Sequence, residues 1–307
     1  ESKLINSYLN ISNTINILSI YSYLSYRQPI GNQTYFKNIK SLEPGYYIEI
    51  ANGKLKKKKY WDFKNFYKEN KIDKGENFYI EKLNSILESS VKYRLNSDRE
   101  VASLLSGGLD SSIVSSLINK SGNNNFKAFS IGYMGEGYNE FKYSAIVAKN
   151  YSMNHKIIKS NSEEYFNDME KLIDIKGQPL SIPNEVSQYR LCKDIKKHAT
   201  VVLSGTGADE LFCGYGRIFG SVYDYQKLKS KNYFGNIKDY KTFLKNFKNS
   251  YGLINFKNRV DHFNHLYSYT DFEMKNNLLS NNLNIEKLEL NSKEFIKKLF
   301  NSSNSKN

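Results

Sequence analysis

The chain has 307 residues, 39% of them apolar and 25% charged. That is enough apolar material to bury a core in one large domain or two unequal ones, and it excludes wholesale disorder. The net charge of +14 raises the question of nucleic acid, but the lysines are scattered through a chain rich in Lys, Asn, Ile and Tyr. Even the densest run, Lys56 to Lys59, sits beside an expected strand, so no nucleic-acid partner is expected.

Cys192 and Cys213 are the two cysteines, too far apart in sequence to suggest a disulfide framework or a metal-ligand spacing. No apolar run approaches the roughly 20 residues needed to cross a membrane, and no secretory signal is present. The expectation is a cytoplasmic chain without a membrane partner. It begins at Glu1, as a processed product or an excised piece would.

Residues 1–62 read as strands and turns. Tyr46 to Ile50 is β-prone, Asn52-Gly53 signals a tight turn, and Lys54 to Trp61 continues, which predicts a hairpin preceded by the Pro44-Gly45 turn. Residues 63–76 are polar and read as a linker. From Phe78 the period becomes helical, with Leu83, Ile86 and Leu87 on one face.

A strand–loop–helix rhythm follows. Val101 to Leu105 is a short apolar strand, a glycine pair comes next, and Ile113, Val114, Leu117 and Ile118 mark a helix. Ala128 to Ile131 and His155 to Ile158 are further strands, with a helix near 139–149 between them. Helices are expected at about 163–175 and 184–197, then a last strand, Thr200 to Leu203, ending in a second Gly-rich loop. This alternation predicts an α/β fold, a parallel sheet with helices on both faces. Residues 222–300 read as amphipathic helices.

The segment Ser106-Gly107-Gly108-Leu109-Asp110-Ser111-Ser112 carries the most chemistry. A glycine pair between strand and helix lets backbone approach a ligand, and the helix N-terminus favours an anion. Ser106, Ser111 and Ser112 add hydroxyl donors. Asp110 would repel phosphate unless Mg²⁺ stood between them. A Gly-Gly turn with Asp-Ser capping the helix is the plainer reading of the same residues. The second segment, Ser204-Gly205-Thr206-Gly207-Ala208-Asp209-Glu210, again follows a strand and supplies a second acid, Asp209. Two such turns at the carboxyl ends of parallel strands would face one crevice, where Asp110 and Asp209 could share a metal–pyrophosphate unit.

Together these strings resemble the glutamine-dependent asparagine synthetase family, within the ATP pyrophosphatase superfamily. The Ser-Gly-Gly-Leu-Asp-Ser loop lacks the Walker lysine, so γ-phosphate transfer is not expected. Phe36 to Tyr47 with Gly53 and Tyr60-Trp61, and Phe129-Ser130-Ile131-Gly132 with Tyr138-Asn139-Glu140, extend the resemblance over residues 25–225.

The resemblance implies an adenine nucleotide alpha hydrolase-like fold, arranged as a glutaminase-type β remnant (1–62), a linker (63–76), a synthetase domain (77–225) and a helical extension (226–307). It implies ATP and Mg²⁺ as cofactors. Pyrophosphate would sit on Ser106, Gly107, Gly108, Ser111 and Ser112, with ATP contacts also from Leu105, Ile131, Ser204 and Gly205 and metal contacts from Asp110 and Asp209. It also implies aspartate and glutamine-derived ammonia as substrates, an upstream glutaminase domain, and compatibility with a homodimer.

The chain departs from the family at several points. Thr206 stands where asparagine synthetases have Glu and lactam-forming relatives have Tyr. Gly177-Gln178 precedes Pro179 where the family favours an acidic pair. No Cys precedes position 192, and the family's C-terminal Arg-x-Pro-Phe-Leu-Asp block is not found. Three readings therefore stand: aspartate amidation, a ligase of the same fold acting on another carboxylate (lactam or peptide cyclisation), and a truncated nucleotide-binding copy. His262 and His265, spaced i, i+3, have no third ligand in a motif, and Cys213 reads as a small buried residue.

Overall fold

The computed structural model describes residues 5, 8, 14–62, 65, 72–122, 126–134, 139–230, 233–252, 255–279 and 282–302. The chain divides into two compact units, one formed by Glu1–Glu69 with Tyr215–Asn307 and the other by Asn70–Gly214. Most of the expected linker at 63–76, and Tyr138, lie outside the described residues.

In the first unit, α1 (Ile17–Tyr26) precedes a hairpin of β1 (Tyr46–Ala51) and β2 (Lys54–Lys59). The hairpin register pairs Ala51 with Lys54, leaving Asn52-Gly53 as a two-residue turn. Both turn residues have positive φ, 49° and 70°, the hand that matches the twist of the flanking strands.

Helix α1 corrects the expectation of strands and turns throughout 1–62. Its Ile and Tyr content favours a strand by propensity, but packing overrides it. Ser19, Ser22 and Ser25 recur at helical spacing on one buried face with Tyr21, and small side chains there let the helix pack closely.

The second unit runs α2 (Glu76–Arg94), β3 (Val101–Leu104), α3 (Leu109–Lys120), β4 (Lys127–Tyr133), α4 (Phe141–Asn150), β5 (Asn154–Ser160), α5 (Ser162–Lys176), α6 (Asn184–Ile195), β6 (Val201–Leu203) and α7 (Ala208–Phe212). The sheet is parallel, in the order β5-β4-β3-β6. Alternate residues of each strand face opposite sides. Val101, Leu105, Ala128 and Leu203 pack with Val91, Leu117, Ile118 and Ala148 from α2, α3 and α4. Ala102, Phe129 and Ile158 pack on the other side with Leu191 and Ile195 of α6. Helices therefore cover both faces, which is why the strands read as near-continuous apolar runs.

Helix α5 begins with a capping box in which Asn161 and Glu164 satisfy each other's backbone N–H, and it ends at Gly177, whose φ of 61° closes it in the left-handed conformation. Gly177, one of the two neutral residues before Pro179, thus has a local backbone role.

The first unit resumes with α8 (Gly216–Lys229), α9 (Ile237–Tyr251), α10 (Arg259–Tyr267), α11 (Phe272–Leu278) and α12 (Ile285–Ser302). Asn236, Asn258 and Asp271 cap α9, α10 and α11 through N–H groups three residues on. His262 is buried among the rings of Tyr225, Phe247, Tyr251 and Phe256, while His265 Nε2 lies 2.6 Å from the Tyr251 carbonyl. Cys213 corrects its expectation: it is exposed, because it ends α7 at φ 60°, a surface turn position.

Candidate active site

Strand β3 lies between β4 and β6, although the chain visits β4 and β5 before returning for β6. The chain thus reverses direction across the sheet at β3, and an open α/β sheet leaves its ligand crevice at such a reversal, outside the carboxyl ends of the strands. The loops after β3 and β6 both emerge there. Ser103 pairs with Leu203, so the Leu105/Ser106 and Leu203/Ser204 junctions lie side by side, as a shared site requires.

The first loop is ordered by its own serines. Ser106 N–H donates to Ser111 Oγ (3.2 Å), Gly108 N–H donates to Ser106 Oγ (3.1 Å), and the two hydroxyls are 2.9 Å apart. Ser112 Oγ donates to the Gly108 carbonyl at 2.7 Å. Gly107 has φ 99°, and a β-carbon there would meet Ser144 N at 2.6 Å and Tyr143 Cβ at 2.8 Å. Its glycine is therefore required by backbone hand and by packing on α4.

Gly108 is the N-cap of α3 and brings no capping side chain, and Asp110 lies in the first turn. Asp110 is thus not the helix cap that the plainer sequence reading allowed. It is half-buried, with no ion pair among the described residues.

The second loop touches the first. A β-carbon on Gly205 would come within 2.7 Å of both the Asp110 carbonyl carbon and Ser111 N. Thr206 is exposed, with Oγ1 2.5 Å from Ser204 Oγ and its N–H donating to the same oxygen at 2.9 Å.

A cavity of about 410 Å³ opens over these loops, and Leu105, Ser106, Gly108, Asp110, Ser111, Ile131, Ser204, Gly205 and Thr206 all line it. Its size falls in the range of small-molecule sites. Gly107, Ser112, Asp209 and Gln178 are not on its wall. Asp209 is in the first turn of α7, with its carboxylate against the α-carbon of Gly214. Among the described residues no group of three His, Cys, Asp or Glu side chains could hold a metal by itself.

Sequence reasoning missed the opposite wall. Asn184, Ser187, Gln188 and Leu191 line the cavity from α6, and Tyr133 joins them from the end of β4. The Tyr133 hydroxyl is 2.7 Å from Ser187 Oγ. The signal was present: positions 184, 187, 188 and 191 form one helical stripe after Pro183. It could not be told from a solvated face without the sheet beside it.

Among solved structures, the ammonia-dependent NAD synthetase of Campylobacter jejuni is similar at 21% identity with a TM-score of 0.32, over 47% of this chain and 62% of that one. The U34-tRNA thiolase NcsA of Methanococcus maripaludis is similar at 15% identity with a TM-score of 0.29, over 74% of this chain and 80% of that one. Among curated proteins, asparagine synthetase 1 (glutamine-hydrolyzing) of Bacillus subtilis strain 168 is 31% identical over 200 residues, 64% of this chain. The aligned region spans 30% of that relative's length. The family model described as asparagine synthase matches residues 82–284, about two thirds of the chain and both glycine-rich loops, and the chain belongs to that family.

Proposed function

We propose that the cavity binds ATP, with its phosphates on the two glycine-rich loops, and that the chain forms the synthetase centre of an ATP-dependent amide-forming ligase. The observation that carries this reading is the single cavity lined by both loops together with Asp110. Backbone N–H groups at the start of α3 and the Ser106 and Ser111 hydroxyls suit phosphate oxygens.

Asp110 in such a place calls for a divalent cation. Mg²⁺ characteristically takes one or two carboxylates and completes its shell with phosphate oxygens and water, so a half-buried carboxylate beside phosphate donors fits it without a three-acid cluster. Asp110 is the ligand in this reading; Asp209, in the first turn of α7 and off the cavity wall, would have to turn away from Gly214 to join it. When bound, Mg²⁺ supplies charge neutralisation on the phosphates.

The reaction we propose begins with attack of the aspartate side-chain carboxylate oxygen on the α phosphorus. The bond to the bridging oxygen breaks, pyrophosphate leaves, and aspartyl-AMP remains. Ammonia then attacks the acyl carbon, AMP departs, and asparagine is released after loss of a proton from nitrogen. The loop N–H groups stabilise charge developing on the phosphate oxygens, the kind of preorganised contribution that dominates many such reactions. Ammonia would come from a glutaminase domain of the whole protein.

Thr206 favours a second reading. It places an exposed, uncharged hydroxyl on the cavity wall, where it cannot act as a base near neutral pH. A different carboxylate, as in lactam or peptide cyclisation, would then be the acceptor. A third reading, a copy that binds nucleotide without turnover, predicts binding and no pyrophosphate release.

Titration of ATP into the chain with and without Mg²⁺ tests the first step. Binding should depend on Mg²⁺ and should be largely lost in Asp110→Ala. Unchanged affinity in that variant would overturn the site. Pyrophosphate release assayed with aspartate against a panel of other acids and amines separates the readings that follow.

A further inference from the structure

We propose that His155 is a positioning residue for the first loop, acting through Ser130 on the peptide that joins Leu105 to Ser106. His155 is on β5, Ser130 on β4, and Leu105 follows β3, so the relay crosses three adjacent strands. Ser130 pairs with Ile157 in the sheet, which puts His155, two residues earlier, on the same face as Ser130. The His155 Nε2 to Ser130 Oγ distance is 2.7 Å, and Ser130 Oγ also bonds the Leu105 carbonyl oxygen.

Proton accounting fixes the direction. A carbonyl oxygen only accepts, so the single Ser130 hydroxyl hydrogen goes to Leu105. His155 must therefore donate from Nε2. Burial lowers the His155 pKa, which favours the neutral ring and so a defined tautomer with its hydrogen on Nε2.

The consequence reaches the loop through peptide planarity. Leu105 N–H already donates to the Phe129 carbonyl at 2.8 Å. With its carbonyl held by Ser130, both backbone groups of Leu105 are tied to β4. The Leu105–Ser106 peptide is a rigid plane, so fixing its carbonyl also aims the Ser106 N–H, which donates to Ser111 Oγ at 3.2 Å. His155, Ser130, Leu105, Ser106 and Ser111 thus form one hydrogen-bonded chain ending in the serines of the cavity wall. Ser130 is 3% exposed, so water does not readily replace His155 as its donor.

The hydrogen-bond relay stands on geometry, whereas its consequence for ATP rests on the function proposed above. Two measurements on the full chain keep them apart. Amide hydrogen exchange at Ser106 and Gly108, without nucleotide, should be at least about fivefold faster in His155→Leu and Ser130→Ala, as loss of one hydrogen bond predicts. His155→Gln, which keeps a side-chain N–H donor, and Ser130→Thr, which keeps the hydroxyl, should restore protection. ATP binding should follow the same order, about tenfold weaker in His155→Leu and close to the parent in His155→Gln. Unchanged loop exchange in His155→Leu, or equal loss in all four variants, would overturn the relay. Loop exchange behaving as expected in a chain that binds no ATP would uphold the relay and overturn the nucleotide assignment.

Discussion

Gly205 leaves no room for a side chain against Asp110: a β-carbon there would lie 2.7 Å from the Asp110 carbonyl carbon and 2.9 Å from its Cβ. The two loops are therefore in direct backbone contact, and the obstacle is a helix first turn that cannot swing aside. Gly205→Ala should destabilise the fold by about 2 kcal/mol, as overpacking does, and should weaken ATP binding at least about tenfold. Gly220 is the control, since nothing lies within 4 Å of a β-carbon at that helical position. Gly220→Ala should stabilise by about 0.5–1 kcal/mol. Urea unfolding of the two variants checks both signs.

A partly buried ion pair fastens the helix that forms the far wall of the cavity. Arg190 on α6 donates from Nε to Asp168 at 2.6 Å and pairs with Glu164 at 2.8 Å, both on α5. The Asp168 side chain is only 4% exposed. Removing the guanidinium strands a buried carboxylate, so Arg190→Met should cost about 3 kcal/mol. Arg190→Met with Asp168→Leu should recover much of that loss. If the double variant is no more stable than the single one, the ion pair is not the source of the effect.

Acid should loosen the first unit through Glu289. Burial alone would raise its pKa, but hydrogen bonds from Lys275, Tyr21 and Lys293 outweigh that and hold it at about 2. Lys275 is itself buried, 2.8 Å from Glu289 and 3.0 Å from Ser25 Oγ. The folded-state pKa lies below the unfolded value near 4.5, so the stabilisation is complete above pH 4.5. It is lost as the pH falls toward 2, and amounts to at most about 3 kcal/mol. Stability measured between pH 6 and pH 3 should fall more steeply in the parent than in Glu289→Gln paired with Lys275→Met. Equal slopes would show that other carboxyls carry the acid sensitivity.

The parts of the fold that the sequence disclosed are those where local and tertiary signals agree. Val101 to Leu105 is apolar because both faces of the sheet are covered, and Gly107 after it marks a turn position that only glycine fits. Asn52-Gly53 announced the hairpin for the same local reason. Helix α1 was misread because its propensity points to a strand, and its buried serine face has meaning only once another helix lies on it. Neither the strand order nor the reach of His155 to Ser130 is written in any local window, since both depend on which strands become neighbours. The polar stripe on α6 needed the same information.

Thr206 offers the most direct test of what the site transforms. Its side chain is exposed on the cavity wall and, among the described residues, bonds only locally, to Ser204. A longer carboxylate at this position would stay solvated and would carry little burial cost. One electrostatic or proton-handling group is worth roughly 10²–10⁴ in rate. If the whole protein activates aspartate, Thr206→Glu should raise aspartate-dependent pyrophosphate release by at least about tenfold, a change of about 1.4 kcal/mol in barrier. A fall in turnover of the native substrate on the same change would support an acceptor other than aspartate, with Thr206 matched to it. ATP binding without turnover in either protein would support a nucleotide-binding copy. Rapid asparagine formation by the unaltered Thr206 protein would show that no carboxylate is needed there, and the proton and charge handling would have to come from other groups on the wall.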